Sequence, residues 1–119
     1  MLEHKFCHIE IPVTDIDKAK EFYESVFNWE VQLQTGYPGY AFFKTGESGV
    51  GGAFGKKDTT GKDGIILHIE TDDIPKTLTK IKKAGGKVTK EKTDIGNDFG
   101  FYALFEDNSG NLLGIWSQK

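Results

Sequence analysis

Two copies of one tripeptide carry the groups best suited to chemistry in this chain. They are His8-Ile9-Glu10 and His68-Ile69-Glu70, 60 residues apart (68 − 8) in a sequence of 119. Residues i and i+2 of a strand project from the same face. Each copy therefore offers an imidazole and a carboxylate side by side. An imidazole can hold a metal or move a proton near neutral pH, and a carboxylate can serve as base or oxygen ligand. Glu10 and Glu70 are the candidate catalytic carboxylates, and His8 and His68 the candidate metal ligands. Two strand residues at this spacing lie about 7 Å apart along the backbone, so sharing one metal requires the glutamate to curl back. The plainer alternative is a buried histidine satisfied by its neighbouring glutamate.

The elements that position these groups also occur twice. Residues 4–12 alternate as a strand, with Cys7, Ile9 and Ile11 on one apolar face and Phe6, His8 and Glu10 on the other. A helix follows over 15–28, with Thr14 or Asp15 as cap and a buried stripe of Ile16, Ala19, Phe22, Tyr23, Val26 and Phe27. Strands are expected over 29–35, 40–44 and 49–55, punctuated by Gly36, Pro38, Gly39, Gly46 and Gly49. A polar stretch over 56–64 reads as a linker. The second half repeats the order: a strand over 65–71, a helix over 74–84 ended by Gly85-Gly86, and strands over 87–93, 99–106 and 112–117. One supersecondary unit used twice is the economical explanation.

Composition bounds the function. The length suits one domain with a real core, and 37% apolar residues suit a soluble globular protein. A net charge of −3 argues against nucleic acid or an anionic membrane as the main partner. No stretch has the length of a membrane span, and no secretory signal is visible. The single Cys7 cannot close an internal disulfide, which points to a reducing, cytoplasmic home. Cys7 reads as inert core. Gly49-Val50-Gly51-Gly52 lacks the ending and the following helix of a phosphate loop. Lys80, Lys82, Lys83, Lys87, Lys90 and Lys92 read as a solvated face. Nothing resembles a Ser-His-Asp triad.

The run His8-Ile9-Glu10-Ile11-Pro12-Val13-Thr14-Asp15 resembles the vicinal oxygen chelate superfamily. So do Ala19-Lys20-Glu21-Phe22-Tyr23 and Val26-Phe27-Asn28-Trp29. In the second half the resemblance rests on His68, Asp72-Asp73-Ile74, Ala84-Gly85-Gly86 and Asp107-Asn108-Ser109-Gly110-Asn111. That superfamily includes glyoxalase I, extradiol dioxygenases, and fosfomycin and bleomycin resistance proteins. The resemblance implies one α+β domain over 1–119, built from two βαβββ modules at about 1–56 and 64–119. Their mixed or antiparallel sheet is cupped, with the helices on its outer face. It also implies a homodimer and, in many members, a divalent metal held by a His on the first strand and a Glu on the last strand of each module. His8 and His68 fall on the two His positions. Gly52 and Gly114 fall on the two Glu positions, so both carboxylates are missing.

Phe54 and Trp116 share strand parity with Gly52 and Gly114 and are expected to line the same cavity, or else the core. Two functions stay open. One is a small-molecule-binding protein of the glyoxalase/bleomycin resistance type, with a degenerate metal site and an aromatic-lined cavity holding its ligand. The other is a metal-dependent glyoxalase-like lyase, isomerase or dioxygenase using His8 and His68 with Glu10 or Glu70. Neither reading names a substrate.

Overall fold

A computed structural model describes residues 2–57 and 64–119, so the expected linker falls mostly on 58–63, outside the described residues. The order of elements is β1 (Phe6–Val13), α1 (Ile16–Phe27), β2 (Glu30–Leu33), β3 (Tyr40–Lys44) and β4 (Gly52–Lys56), then β5 (Ile66–Glu70), α2 (Ile74–Lys83), β6 (Lys87–Asp94), β7 (Phe101–Glu106) and β8 (Leu112–Ser117). This is the expected α+β class, with βαβββ occurring twice. The chain divides into two compact units, one over 8–66 and one formed by 67–119 with the N-terminal residues up to Cys7.

In the 8–66 unit the strand order is β2-β3-β4-β1. β2 and β3 pair antiparallel, as do β3 and β4, whereas β1 and β4 run parallel. Asp15 starts α1 by accepting from Lys18 N at 3.0 Å, and Asn28 ends it in the left-handed region at φ 58°. The core beneath the helix is aromatic. Trp29 stacks on Tyr23 and Phe43 at centroid distances of 4.6 and 4.8 Å, and Phe54 meets Tyr23 at 5.1 Å and Phe43 at 4.8 Å. Ile9 and Ile11 join this cluster, as the β1 alternation required. The α1 stripe is only partly covered. Ile16, Ala19 and Tyr23 pack inward, whereas Phe22, Val26 and Phe27 are 53%, 54% and 56% exposed. At 100° per residue Phe22 and Val26 lie on the flank of the stripe, and Phe27 overhangs its end.

The second unit has the order β5-β8-β7-β6, with β5 and β8 parallel and the other pairs antiparallel. Asp73 caps α2 by accepting from Lys76 N at 3.0 Å, and Pro75 occupies the first turn, where its missing N–H costs nothing. Ile74 and Leu78 of the helix pack on Ala103, Phe105 and Ile115 of the sheet. β6 is the edge strand and carries two register shifts, at Val88/Lys90 and Lys90/Thr93.

The parallel register of β1 and β4 corrects one expectation. It pairs Ile9 with Gly52 and Ile11 with Phe54. Laterally paired residues share a face, so Gly52 and Phe54 lie on the helix side, not beside His8. Phe54 is fully buried in the aromatic core. The physical reason is packing: Tyr23 and Phe43 need a large ring between them. In the second unit the register pairs His68 with Gly114 and Glu70 with Trp116. The residue matching Gly114 is therefore Gly51, one position earlier than Gly52.

Candidate functional site

The 8–66 unit has a sheet face opposite α1, and its polar groups converge there on one atom. β1 contributes His8 and Glu10, and β3 contributes Tyr40 and Phe42. The β4 residues on this face are Ala53 and Gly55, with Gly51 just before the strand, since Glu10 pairs with Ala53 and Tyr40 with Gly55. These small residues leave room between the longer side chains of the flanking strands. Tyr40 Oη crosses that gap and donates to Glu10 Oε2 at 2.7 Å. His8 Nε2 donates to the same oxygen. A Cβ placed on Gly55 would touch Glu10 Oε1 at 3.7 Å and the Tyr40 ring at 3.9 Å, so both side chains arch closely over this residue. The side chains of His8 and Glu10 are 26% and 28% exposed, open enough for a solute and enclosed enough to strengthen a charged hydrogen bond. Phe42 meets the Tyr40 ring edge-on at 5.4 Å and extends the face with apolar surface.

The equivalent face of the second unit is organised differently. His68 is only 6% exposed and lies against Gly114. A Cβ on Gly114 would stand 2.4 Å from His68 Cδ2 and 2.6 Å from its Nε2, so the ring occupies the space a side chain would need. Trp116 shares this face with His68 and Glu70. Its Nε1 donates to Phe99 O at 2.8 Å, which fixes the indole over Gly100. Tyr102 pairs with Trp116 on the next strand, and the Lys90 ammonium sits 5.2 Å from the Tyr102 ring centroid.

These arrangements bear on a metal. A site of two His and two Glu needs carboxylates on the last strand of each module, and glycine stands beside both histidines: Gly51 by His8 and Gly114 by His68. The nearby oxygen donor to His8, the Glu10 carboxylate, is already engaged by His8 itself and Tyr40. Among the described residues, no three His, Cys, Asp or Glu side chains gather as a metal-binding group. The residues present do not fit the usual ligand set. Cys7 offers no alternative nucleophile. Burial, with the Glu70 charge adding to it, pushes its thiol up from 9.0 to about 11, so it stays protonated at neutral pH.

Tyr40 was not among the residues singled out from the sequence. Its place depends on the β3–β4 register, which lies two strands away from Glu10 and leaves no local signature.

The fold and this site define a twice-repeated βαβββ protein with a polar, aromatic-flanked sheet face. Comparison with known proteins agrees. The chain belongs to the Glyoxalase/Bleomycin resistance protein/Dioxygenase superfamily, whose family model matches residues 5–115. A glyoxylase-like domain-containing protein of Didymella fabae is 28% identical over 127 residues, covering 97% of this chain and 94% of its own. Among solved structures, a hypothetical protein from Bacillus halodurans superposes with a TM-score of 0.75 at 18% identity, covering 99% of this chain and 96% of its own. A Mn(II)-bound glyoxalase from Novosphingobium aromaticivorans superposes with a TM-score of 0.72 at 21% identity, and this chain spans 39% of that protein. At these identities the structural matches speak to the fold. Among the described residues, no helix is long and apolar enough to cross a membrane.

Proposed function

We propose that this protein is a small-molecule-binding member of the superfamily with a degenerate metal site. Its ligand is held through the His8–Glu10–Tyr40 group, with Phe42 beside it as an aromatic wall. One observation carries this reading. Glu10 Oε2 receives hydrogen bonds from both His8 Nε2 and Tyr40 Oη, so the three side chains form one hydrogen-bonded polar group on the sheet face. Glycine at the two family carboxylate positions supports it. A ligand presenting its own donors and acceptors can exchange with such a group at little cost, because each displaced hydrogen bond is replaced. The protein acts as a cytoplasmic homodimer. The exposed Phe22, Val26 and Phe27 on α1 give apolar surface for a second copy to cover, and an unpaired Cys7 suits a reducing compartment.

The retained pair of histidines favours a second reading, a metal-dependent lyase, isomerase or dioxygenase. Titrating metal-free protein with Mn(II) and Zn(II) by calorimetry separates the two. The binding-protein reading expects no stoichiometric site tighter than the weak background also seen in His8→Ala. A one-to-one site lost in His8→Ala and in Glu10→Gln would overturn it in favour of the enzyme. Light scattering tests the dimer, and a monomeric mass at micromolar concentration would remove that part.

A further inference from the structure

The His8–Glu10–Tyr40 group is saturated on one side only. His8 Nε2 and Tyr40 Oη both donate to Glu10 Oε2. Among the described residues, nothing donates to Oε1 of the same carboxyl. That oxygen lies over Gly55, 3.7 Å from where a Cβ would stand, so no side chain at this position of β4 screens it. The Glu10 side chain is part-exposed, which leaves the group within reach of a solute. A part-enclosed acceptor in a folded protein is ordinarily met by a donor from the chain, from water or from a ligand.

The surface around Oε1 narrows what can supply that donor. Glu10, Ala53 and Phe42 form one row across the sheet, and Pro12, Gly55 and Tyr40 form the next. Ala53 is fully buried although its methyl points to this face. The longer side chains therefore close over it and leave a shallow surface instead of a deep hole. The two rings of that surface, Phe42 and Tyr40, meet edge-on at 5.4 Å, so they present a ring face beside a ring edge. Shallow aromatic surface favours a flat ligand that can stack on it. Charge narrows the choice further. Residues 8–66 hold 6 basic and 9 acidic groups, a net −3, while the rest of the chain holds 9 of each. The excess negative charge of the chain thus lies in this unit and attracts cations.

We propose that the ligand of this face is a planar aromatic cation, of the aryl amidine kind, whose N–H groups donate to Glu10 Oε1 while its ring lies against Phe42 and Tyr40. This rests on the reading of His8–Glu10–Tyr40 as a ligand group and names the chemistry that group selects. The two donors on Oε2 hold the carboxyl in one orientation. Oε1 is therefore aimed before the ligand arrives, and little ordering remains to be done on binding. An N–H of a charged donor then makes the stronger class of hydrogen bond. An anionic ligand meets an oxygen where it needs a donor and is rejected.

The test uses the full chain, kept metal-free with EDTA, and reads the amide NMR shifts of Ala53 and Gly55. The probes are benzamidine, benzoate and phenyltrimethylammonium, which share a ring and offer donors, acceptors or charge alone. Benzamidine should shift both amides saturably with a Kd of about 1 mM, and the other two should bind about tenfold more weakly or worse. In Glu10→Gln, His8 and Tyr40 hold the amide oxygen and turn the glutamine NH2 outward. The preference should then invert: benzamidine weakens about tenfold and benzoate gains a site, a gain that also shows the variant is folded. Equal benzamidine binding in the two chains overturns the proposal. So does phenyltrimethylammonium binding as well as benzamidine, which would leave charge as the whole determinant. Benzoate as the preferred probe of the unchanged chain overturns the ligand class and leaves the proposed function standing, because a ligand still occupies the group. No shift with any probe overturns this inference, and the metal titration then decides the proposed function by itself.

Discussion

Adding one carbon at Gly114 tests the arrangement around His68. The Cβ of Gly114→Ala would lie 2.4, 2.6 and 3.0 Å from His68 Cδ2, Nε2 and Cγ. Comfortable carbon contacts begin near 3.5 Å, so the ring must retreat by about 1 Å. It has little space to do so at 6% exposure. Overpacking of this kind costs about 1–3 kcal/mol. In a chain of this size, that lowers Tm by very roughly 4–15 °C. Urea denaturation followed by far-UV circular dichroism measures the cost, and a cycle with His68→Ala isolates its cause. With the ring removed, the added methyl has somewhere to go, so Gly114→Ala should then cost under about 0.5 kcal/mol. The expected coupling is about 1–2 kcal/mol. Equal cost in both backgrounds would refute the reasoning and mean that backbone strain, not the imidazole, excludes a side chain at this position.

Phe54→Ala should cost about 3–5 kcal/mol in the same assay, because the ring is fully buried between Tyr23 and Phe43; a loss below about 1 kcal/mol would return Phe54 to an open face. Tyr40→Phe removes one donor to a part-buried carboxyl group and should cost about 1–2 kcal/mol, and the loss should shrink in a Glu10→Gln background. Alkylation of Cys7 by iodoacetamide should be slow at pH 8 and accelerate only towards pH 11. The linked stability has a definite sign. A thiol whose folded pKa is raised from 9.0 to about 11 stabilises the fold fully below pH 9, and this contribution is lost as pH rises towards 11. A Cys7→Ser chain lacking this alkaline loss is the control, and identical pH profiles for the two chains would count against the shift.

Much of the fold was legible because its signals are local. Alternation in β1, the cap at Asp15, and the glycine stop after α2 each lie within a few residues of the element they define. The strands at Tyr40–Lys44 and Leu112–Ser117 fall where the pattern placed them. The site was less legible because it depends on register. Matching Gly52-Ala53-Phe54 to Gly114-Ile115-Trp116 uses a plausible motif, yet the ladders align Gly114 with Gly51 instead, and one residue of slip moves a side chain to the opposite face. Phe54 was misplaced for this reason. Tyr40 escaped notice because its partner Glu10 is 30 positions away in sequence and two strands away in the sheet.

The two His-x-Glu copies share a sequence but not a state, and this asymmetry follows from their neighbours. Glu10 stands over small residues of β4, Ala53 and Gly55, so it can turn back to His8 and reach Tyr40 on the far side. Glu70 stands beside Trp116, whose indole is fixed by Phe99 O, and His68 beside it is pressed onto Gly114. The first copy is an open polar group with exchangeable hydrogen bonds. The second is a packed histidine whose position depends on the absence of a side chain. Restoring a carboxylate at Gly114 would displace the very imidazole it should assist, so one substitution cannot rebuild the family's metal site. Recovering a metal ligand there requires His68 to repack as well, which makes the missing carboxylate and the buried histidine two sides of one structural choice.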